Sequence, residues 1–206
     1  MSSSIENHTY DDFLQERTES LRINFNKTFL KNGIYQSKDF IDDRANALAV
    51  LSGLCEKENY ETIKTVLLSV SNASIYMENY VLGALCQMGY IEEAYKRMVS
   101  RYYHLAKNNN STLWEDFYIL GTKNHAWSGA PAVIAFQYFL GIDTCDGFDT
   151  VTVNPCTLFS DMHGTFLGKN GKIHITVKNG KITVDNQSES KIKIGKEIPH
   201  KNQPGV

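Results

Sequence analysis

The chain has 206 residues, 21 Lys and Arg against 23 Asp and Glu, and a formal net charge of −2. That length suits one domain, or one domain with a small appendage. Acids and bases are interspersed without a basic stripe, which argues against nucleic acid as a partner. No apolar run approaches membrane-spanning length, so no membrane partner is expected.

Residues 1–12 are polar and acidic, with neither a basic n-region nor an apolar h-region, so no secretory signal is read there. A cytoplasmic location is expected if the chain is complete. Tyr10 to Leu30 reads as a helix, with Phe13, Leu14, Leu21, Phe25 and Phe29 sharing a face. Asn32-Gly33 is expected to close it as a C-cap. Ile34 to Gln36 reads as a short extended segment.

Asp42 or Asp43 can N-cap a helix over residues 44–57, in which Ala47, Leu48, Val50, Leu51 and Leu54 are apolar. Further helices are expected over residues 60–69, from Asn72 or Ser74 to Gly89, and over residues 91–107. Asn108-Asn109-Asn110 is a turn cluster. A short helix is expected near Leu113, then an apolar one from Ala132 to Leu140. Pro131 suits a first helical turn, where no amide donor is needed. Short connections between successive helices argue for antiparallel hairpins.

After Gly147 the hydrophobic period changes to two. Residues 150–154, 172–177, 182–184 and 192–194 read as strands. Asn179-Gly180 is a type I′ hairpin signal, and Asn170-Gly171 a second candidate. The fold class is mainly α with a C-terminal all-β unit, divided at residues 1–144 and 145–206. Residues 196–206 read as a tail.

Both tryptophans fall between Ser111 and Pro131. Glu115 stands between Trp114 and Asp116-Phe117, a setting that tends to desolvate a carboxylate and raise its pKa. His125 and Trp127 precede Ser128-Gly129-Ala130, where backbone can approach another group closely. An indole beside a carboxylate can hold a sugar ring. The same residues also suit a packed helical corner with Trp as core filler. Asp42 and Asp43 read as a cap beside Arg44, and Glu78 as paired with Arg44 or Lys96. Cys55 and Cys86 sit in apolar helical runs as reduced core residues. Cys145 and Cys156 could approach each other across a strand. No cysteine or histidine spacing suits a metal, and no cofactor motif is present.

Leu113-Trp114-Glu115 followed by Asn124-His125-Ala126-Trp127-Ser128-Gly129-Ala130-Pro131 resembles the α-L-rhamnosidases of glycoside hydrolase family 78. The resemblance extends to residues 42–51, 76–85, 147–148 and 151–155, and spans roughly Leu21 to Val177. It implies the C-terminal half of a six-hairpin α/α barrel, followed by a small antiparallel β-sheet or sandwich. Only six or seven helices are expected here, about half of such a barrel. The resemblance implies inverting hydrolysis of terminal α-L-rhamnosyl bonds without metal or cofactor. Glu115 takes the place of the general base and His125 that of a sugar-subsite residue, with Trp114 and Trp127 as wall residues. The family's general acid belongs to a segment with no match in this sequence. The expected partners are a rhamnose-containing or related glycoside, and the missing half of the barrel or a second copy. A non-catalytic carbohydrate-binding remnant and a helical interaction module stand as alternatives.

Overall fold

The computed structural model describes residues 2–107, 112–144 and 147–195, with the side chains of residues 2–10 excepted. Helix α1 runs Ser2–Phe29, beginning earlier than its apolar periodicity indicates. It ends in a hairpin of β1 (Leu30–Lys31) and β2 (Ile34–Ser37), and β2 pairs in turn with β3 (Phe40–Ile41). Asn32 and Gly33 have φ of 53° and 78°. They form a two-residue hairpin turn and not the expected helix cap, because both left-handed positions of a type I′ turn are filled.

Helices α2 (Asp43–Leu51), α3 (Tyr60–Ser69), α4 (Glu78–Gln87) and α5 (Ile91–Ala106) follow. Helix α2 stops short of the expected Lys57: the chain turns at Gly53, and Leu54 and Cys55 both donate to the Ala49 carbonyl. Helix α4 starts at Glu78, after a turn in which the Glu78 amide donates to Ser74 O. Helix α4 is central, packed against α2 and α5 and against α6 (Ala130–Ile134). Val81, Leu82, Ala84, Leu85 and Cys86 are fully buried on it. Asn46 ties β2 to α2, accepting from the Tyr35 amide and donating to the Tyr35 carbonyl, both at 2.8 Å. Among the described residues these helices make a partial helical layer and close no barrel.

One buried cation stitches four helices together. Arg97 on α5 lies 2.8 Å from Asp43 Oδ2 and 2.5 Å from Glu78 Oε1. It also donates to the Leu67 and Val70 carbonyls at the end of α3. Asp43 and Glu78 open α2 and α4, where carboxylates complement the helix dipole, and the guanidinium complements the C-terminal carbonyls of α3. Glu78 also lies 3.1 Å from Arg101 Nε. Its partners are therefore Arg97 and Arg101. Arg44 pairs with Asp42, which caps α2 as expected, and Lys96 pairs with Glu92. Periodicity along a single helix carries no information about which neighbouring helix brings a countercharge.

Among the described residues no helix forms near Leu113; residues 113–125 make a loop closed by a bridge between Trp114 and Lys123. Helix α6 passes directly into one π-helical stretch, Ala135–Phe139, instead of running as one α-helix to Leu140. Strands β4 (Ile142–Asp143), β5 (Thr150–Val153), β6 (Asp161–Gly168), β7 (Gly171–Lys178), β8 (Lys181–Asn186) and β9 (Lys191–Ile194) complete the described chain. Strands β6, β7 and β8 form an antiparallel meander, and Asn179-Gly180 turns β7 into β8 with φ of 51° and 74°. The turn from β6 to β7 is Lys169-Asn170, with Gly171 already in β7.

The second sheet is mixed. Strand β4 is antiparallel to β5, but β9 is parallel to β5, with Val151 beside Ile192. The expectation of a purely antiparallel unit fails here because the long connection between β5 and β9 permits a parallel return. Val151, Val153, Ile173, Ile175 and Val177 form the core of the β unit, joined by Leu140 and Phe136 from the helical side. Cys55, Cys86 and Cys156 are free thiols. Burial pushes the Cys86 thiol up to about 12, which suits an unreactive core residue. Cys145 and residues 196–206 lie outside the described residues, so the pairing considered for Cys145 does too.

Candidate functional site

The site is built on the loop between α5 and α6. The Glu115 amide donates to Thr122 O at 3.0 Å and the Asn124 amide to Leu113 O at 3.2 Å, so the two arms run as a short ladder. Asp116 shapes the tip, its Oδ1 accepting from the amides of Tyr118 at 2.7 Å and Leu120 at 3.1 Å. A carboxylate that satisfies nearby amides in this way competes with helix formation, which explains the missing helix. Ile119 takes φ of 61°, an uncommon conformation for a β-branched residue.

Helix α5 anchors the loop. Phe117 stands edge-on to Tyr102, with ring centroids 5.1 Å apart, and the Arg101 guanidinium lies 4.1 Å from the Phe117 ring centroid. A His104 ring N–H donates to the Phe117 carbonyl at 2.8 Å. On the other side, buried Ser128 donates to the Trp114 carbonyl at 2.6 Å. The loop is thus held at Phe117 by α5 and at Trp114 by the turn that precedes α6.

Glu115, Thr122 and His125 meet at one point. The Thr122 hydroxyl donates to Glu115 Oε2 at 2.7 Å, and His125 Nε2 lies 2.8 Å from the same oxygen. Thr122 Oγ1 and His125 Nε2 are 2.5 Å apart. A contact of the ring nitrogen with a carboxylate places the proton on Nε2. The Thr122 hydroxyl, through its hydrogen bond to the ionised form, holds the Glu115 carboxyl below its ordinary value, with His125 adding to the effect. The aromatic setting predicted the opposite direction. The difference arises because the Glu115 side chain stays one-third exposed and two donors reach it, so hydrogen bonding outweighs desolvation.

The other carboxylate oxygen rests against Gly121. A Cβ at that position would lie 2.1 Å from Glu115 Oε1, and Gly121 has φ of +77°. Only glycine fits both the close approach and the left-handed backbone. His125 stacks on Trp127 at 4.2 Å between ring centroids, and the Trp127 indole N–H lies 3.4 Å from the Glu115 carbonyl. Trp127 is half-exposed. Trp114 is partly buried, with the Lys123 ammonium 4.8 Å from its ring centroid.

All four sequence-predicted residues therefore lie in this one loop and the turn that follows it. Glu115 and His125 are in direct contact, so no sugar ring fits between them. Sequence reasoning missed Thr122 and Gly121. Gly-Thr three residues before His125 was the available signal, and its meaning depends on Glu115 folding back across the ladder. Asp42, Asp43 and Glu78 are committed to cations elsewhere. Among the described residues no three His, Cys, Asp or Glu side chains converge to hold a metal ion. No described helix is long and apolar enough to cross a membrane.

No protein-family model matches the sequence, and no curated protein matches it. Among solved structures, the chain is similar to a GH78 family rhamnosidase of Bacillus sp. GL1, with a TM-score of 0.70 and 20% sequence identity. The match covers 89% of this chain and 23% of that enzyme. The chain therefore has the fold of one segment of a glycoside hydrolase family 78 rhamnosidase, and spans under a quarter of that enzyme's length.

Proposed function

We propose that this chain is the base-bearing portion of an inverting glycoside hydrolase acting on terminal α-L-rhamnosyl or related linkages. Glu115 is the general base, His125 a sugar-subsite residue, and Trp114 and Trp127 walls of that subsite. The helical part through residue 144 carries the site, and the described residues of 145–206 form its β appendage. One observation carries the reading: Glu115 Oε2 accepts from the Thr122 hydroxyl and meets His125 Nε2 on a partly exposed loop beside two indoles. An ionised, solvent-accessible carboxylate is what activation of a water molecule requires.

Inversion also needs a carboxylic acid roughly 6.5–9.5 Å from the base, with the sugar and water between them. The acids weighed from the sequence are spoken for by Arg44, Arg97 and Arg101. The general acid is accordingly assigned to a barrel segment other than those described, and the chain by itself is expected to be inactive or nearly so.

The test is a chimera in which this chain replaces the corresponding segment of the Bacillus sp. GL1 rhamnosidase. Cleavage of an aryl α-L-rhamnoside by the folded chimera, reduced about 10²–10⁴-fold by Glu115→Gln, supports the proposal. A folded chimera whose activity ignores Glu115→Gln overturns it. The stacked His125 and Trp127 rings favour a second reading, a non-catalytic sugar-binding surface. Binding of L-rhamnose by the 206-residue chain, together with a folded but inactive chimera, would select that reading.

A further inference from the structure

Helices α2 and α4 begin side by side. Arg97 Nη2 lies 2.8 Å from Asp43 Oδ2 and 3.0 Å from Glu78 Oε2, and those two residues open the two helices. The Ala73 amide, in the segment leading into α4, also donates to Asp43 Oδ2 at 3.3 Å. Arg101 follows Arg97 by one turn of α5 and reaches the same junction. Its Nε lies 3.1 Å from Glu78 Oε2, and its Nη2 donates to the Ala73 carbonyl. The adjacent Tyr102 hydroxyl donates to Ile75 O at 3.1 Å.

The Glu115 loop docks on this same turn of α5. Phe117 sets its ring 4.1 Å from the Arg101 guanidinium and edge-on to Tyr102, and its carbonyl is held by His104. Phe117 is partly buried, whereas Tyr118, Ile119 and Leu120 are exposed. The loop tip therefore holds to α5 through Phe117. A guanidinium over a ring face is attractive, and its plane matches the ring. A lysine ammonium carries the same charge as a compact point and offers no such plane.

Two properties of Glu115 thus have separate origins. Its charge is set inside the loop, by Thr122 and His125 across the ladder. Its place relative to the ends of α2 and α4 is set outside the loop, where Arg101 touches both Phe117 and Glu78. Place matters to a base that works with an acid on another segment. A misplacement of about 1 Å can cost roughly 10²-fold in rate.

We infer that Arg101 is a positioning residue: through Phe117 it registers the Glu115 loop against the starts of α2 and α4. The catalytic consequence rests on the hydrolase reading; the register itself does not. Arg101→Lys keeps a cation beside Glu78 and takes the plane away from Phe117. Phe117→Leu takes away the ring and leaves Arg101 on Glu78. Nitrogen-15 relaxation of the full chain should give order parameters of about 0.85 for the Asp116, Tyr118 and Leu120 amides, falling below about 0.6 in either variant. The double variant should fall no further, and the amides of α5 should stay rigid in all three. In the chimera with the Bacillus sp. GL1 rhamnosidase, each variant should lower kcat about tenfold or more while KM stays within about twofold. A tip as rigid in both variants as in the wild type overturns the inference. So does a chimera in which Glu115→Gln abolishes cleavage while Arg101→Lys and Phe117→Leu leave kcat unchanged. A chimera indifferent to Glu115→Gln removes the hydrolase reading alone, and the relaxation measurement then decides for or against Arg101.

Discussion

The Thr122 hydroxyl donates to Glu115 Oε2 at 2.7 Å, and it is the largest influence holding that carboxyl below its ordinary value. Thr122→Val removes the donor while nearly preserving shape. The Glu115 titration midpoint, read from the side-chain carboxyl carbon by NMR, should move up in Thr122→Val and stay near wild type in Thr122→Ser. The sign for stability follows. A depressed carboxyl contributes stability that is present above its unfolded-state pKa and lost as pH falls through the folded value. The stability gap between wild type and Thr122→Val should therefore be present at neutral pH and close on acidification. An unmoved midpoint would remove Thr122 from any role in setting the charge of Glu115.

Gly121→Ala should be costly for its size. The new methyl would meet Glu115 Oε1, and a non-glycine residue at a positive φ costs about 1–2 kcal/mol before any clash. We expect lowered stability together with displacement of Glu115, seen as loss of the close His125–Glu115 contact in a crystal structure of the variant. An unchanged site in a fully stable variant would show that the loop relaxes freely around Gly121.

Arg97 answers two buried carboxylates and two helix-terminal carbonyls at once. Removing one partner of a buried charge set leaves the other charges without compensation, at about 3–5 kcal/mol. Arg97→Leu should lose this much in urea unfolding. Adding Asp43→Asn and Glu78→Gln to Arg97→Leu should recover part of it. A loss below about 1 kcal/mol would mean that water reaches Asp43 and Glu78.

Leu82 and Leu48 look alike in sequence, each an apolar residue within a helical stripe. Leu82 is fully buried, whereas Leu48 is 43% exposed. Leu82→Ala should cost about 2–5 kcal/mol and Leu48→Ala within about 0.5 kcal/mol. Equal costs would contradict the placement of α2 against α4.

What the amino-acid sequence alone determined is what short-range physics controls. Apolar spacing located helices α2 to α5, because a 3.6-residue period survives in one segment whatever packs against it. Asn179-Gly180 marked a hairpin because its two left-handed positions are a property of those residues. The Trp-Glu and Asn-His-Ala-Trp segments marked the candidate site because all four named side chains lie within 14 residues of one another. Tertiary structure decided what depends on distant partners. Arg97 reaches Glu78 from another helix, and β9 returns parallel to β5 across a long connection. The direction of the Glu115 shift was also decided there. Neighbouring aromatics pointed to desolvation, but the ladder folds Thr122 and His125 back onto the carboxylate, and two donors outweigh a partly dry setting.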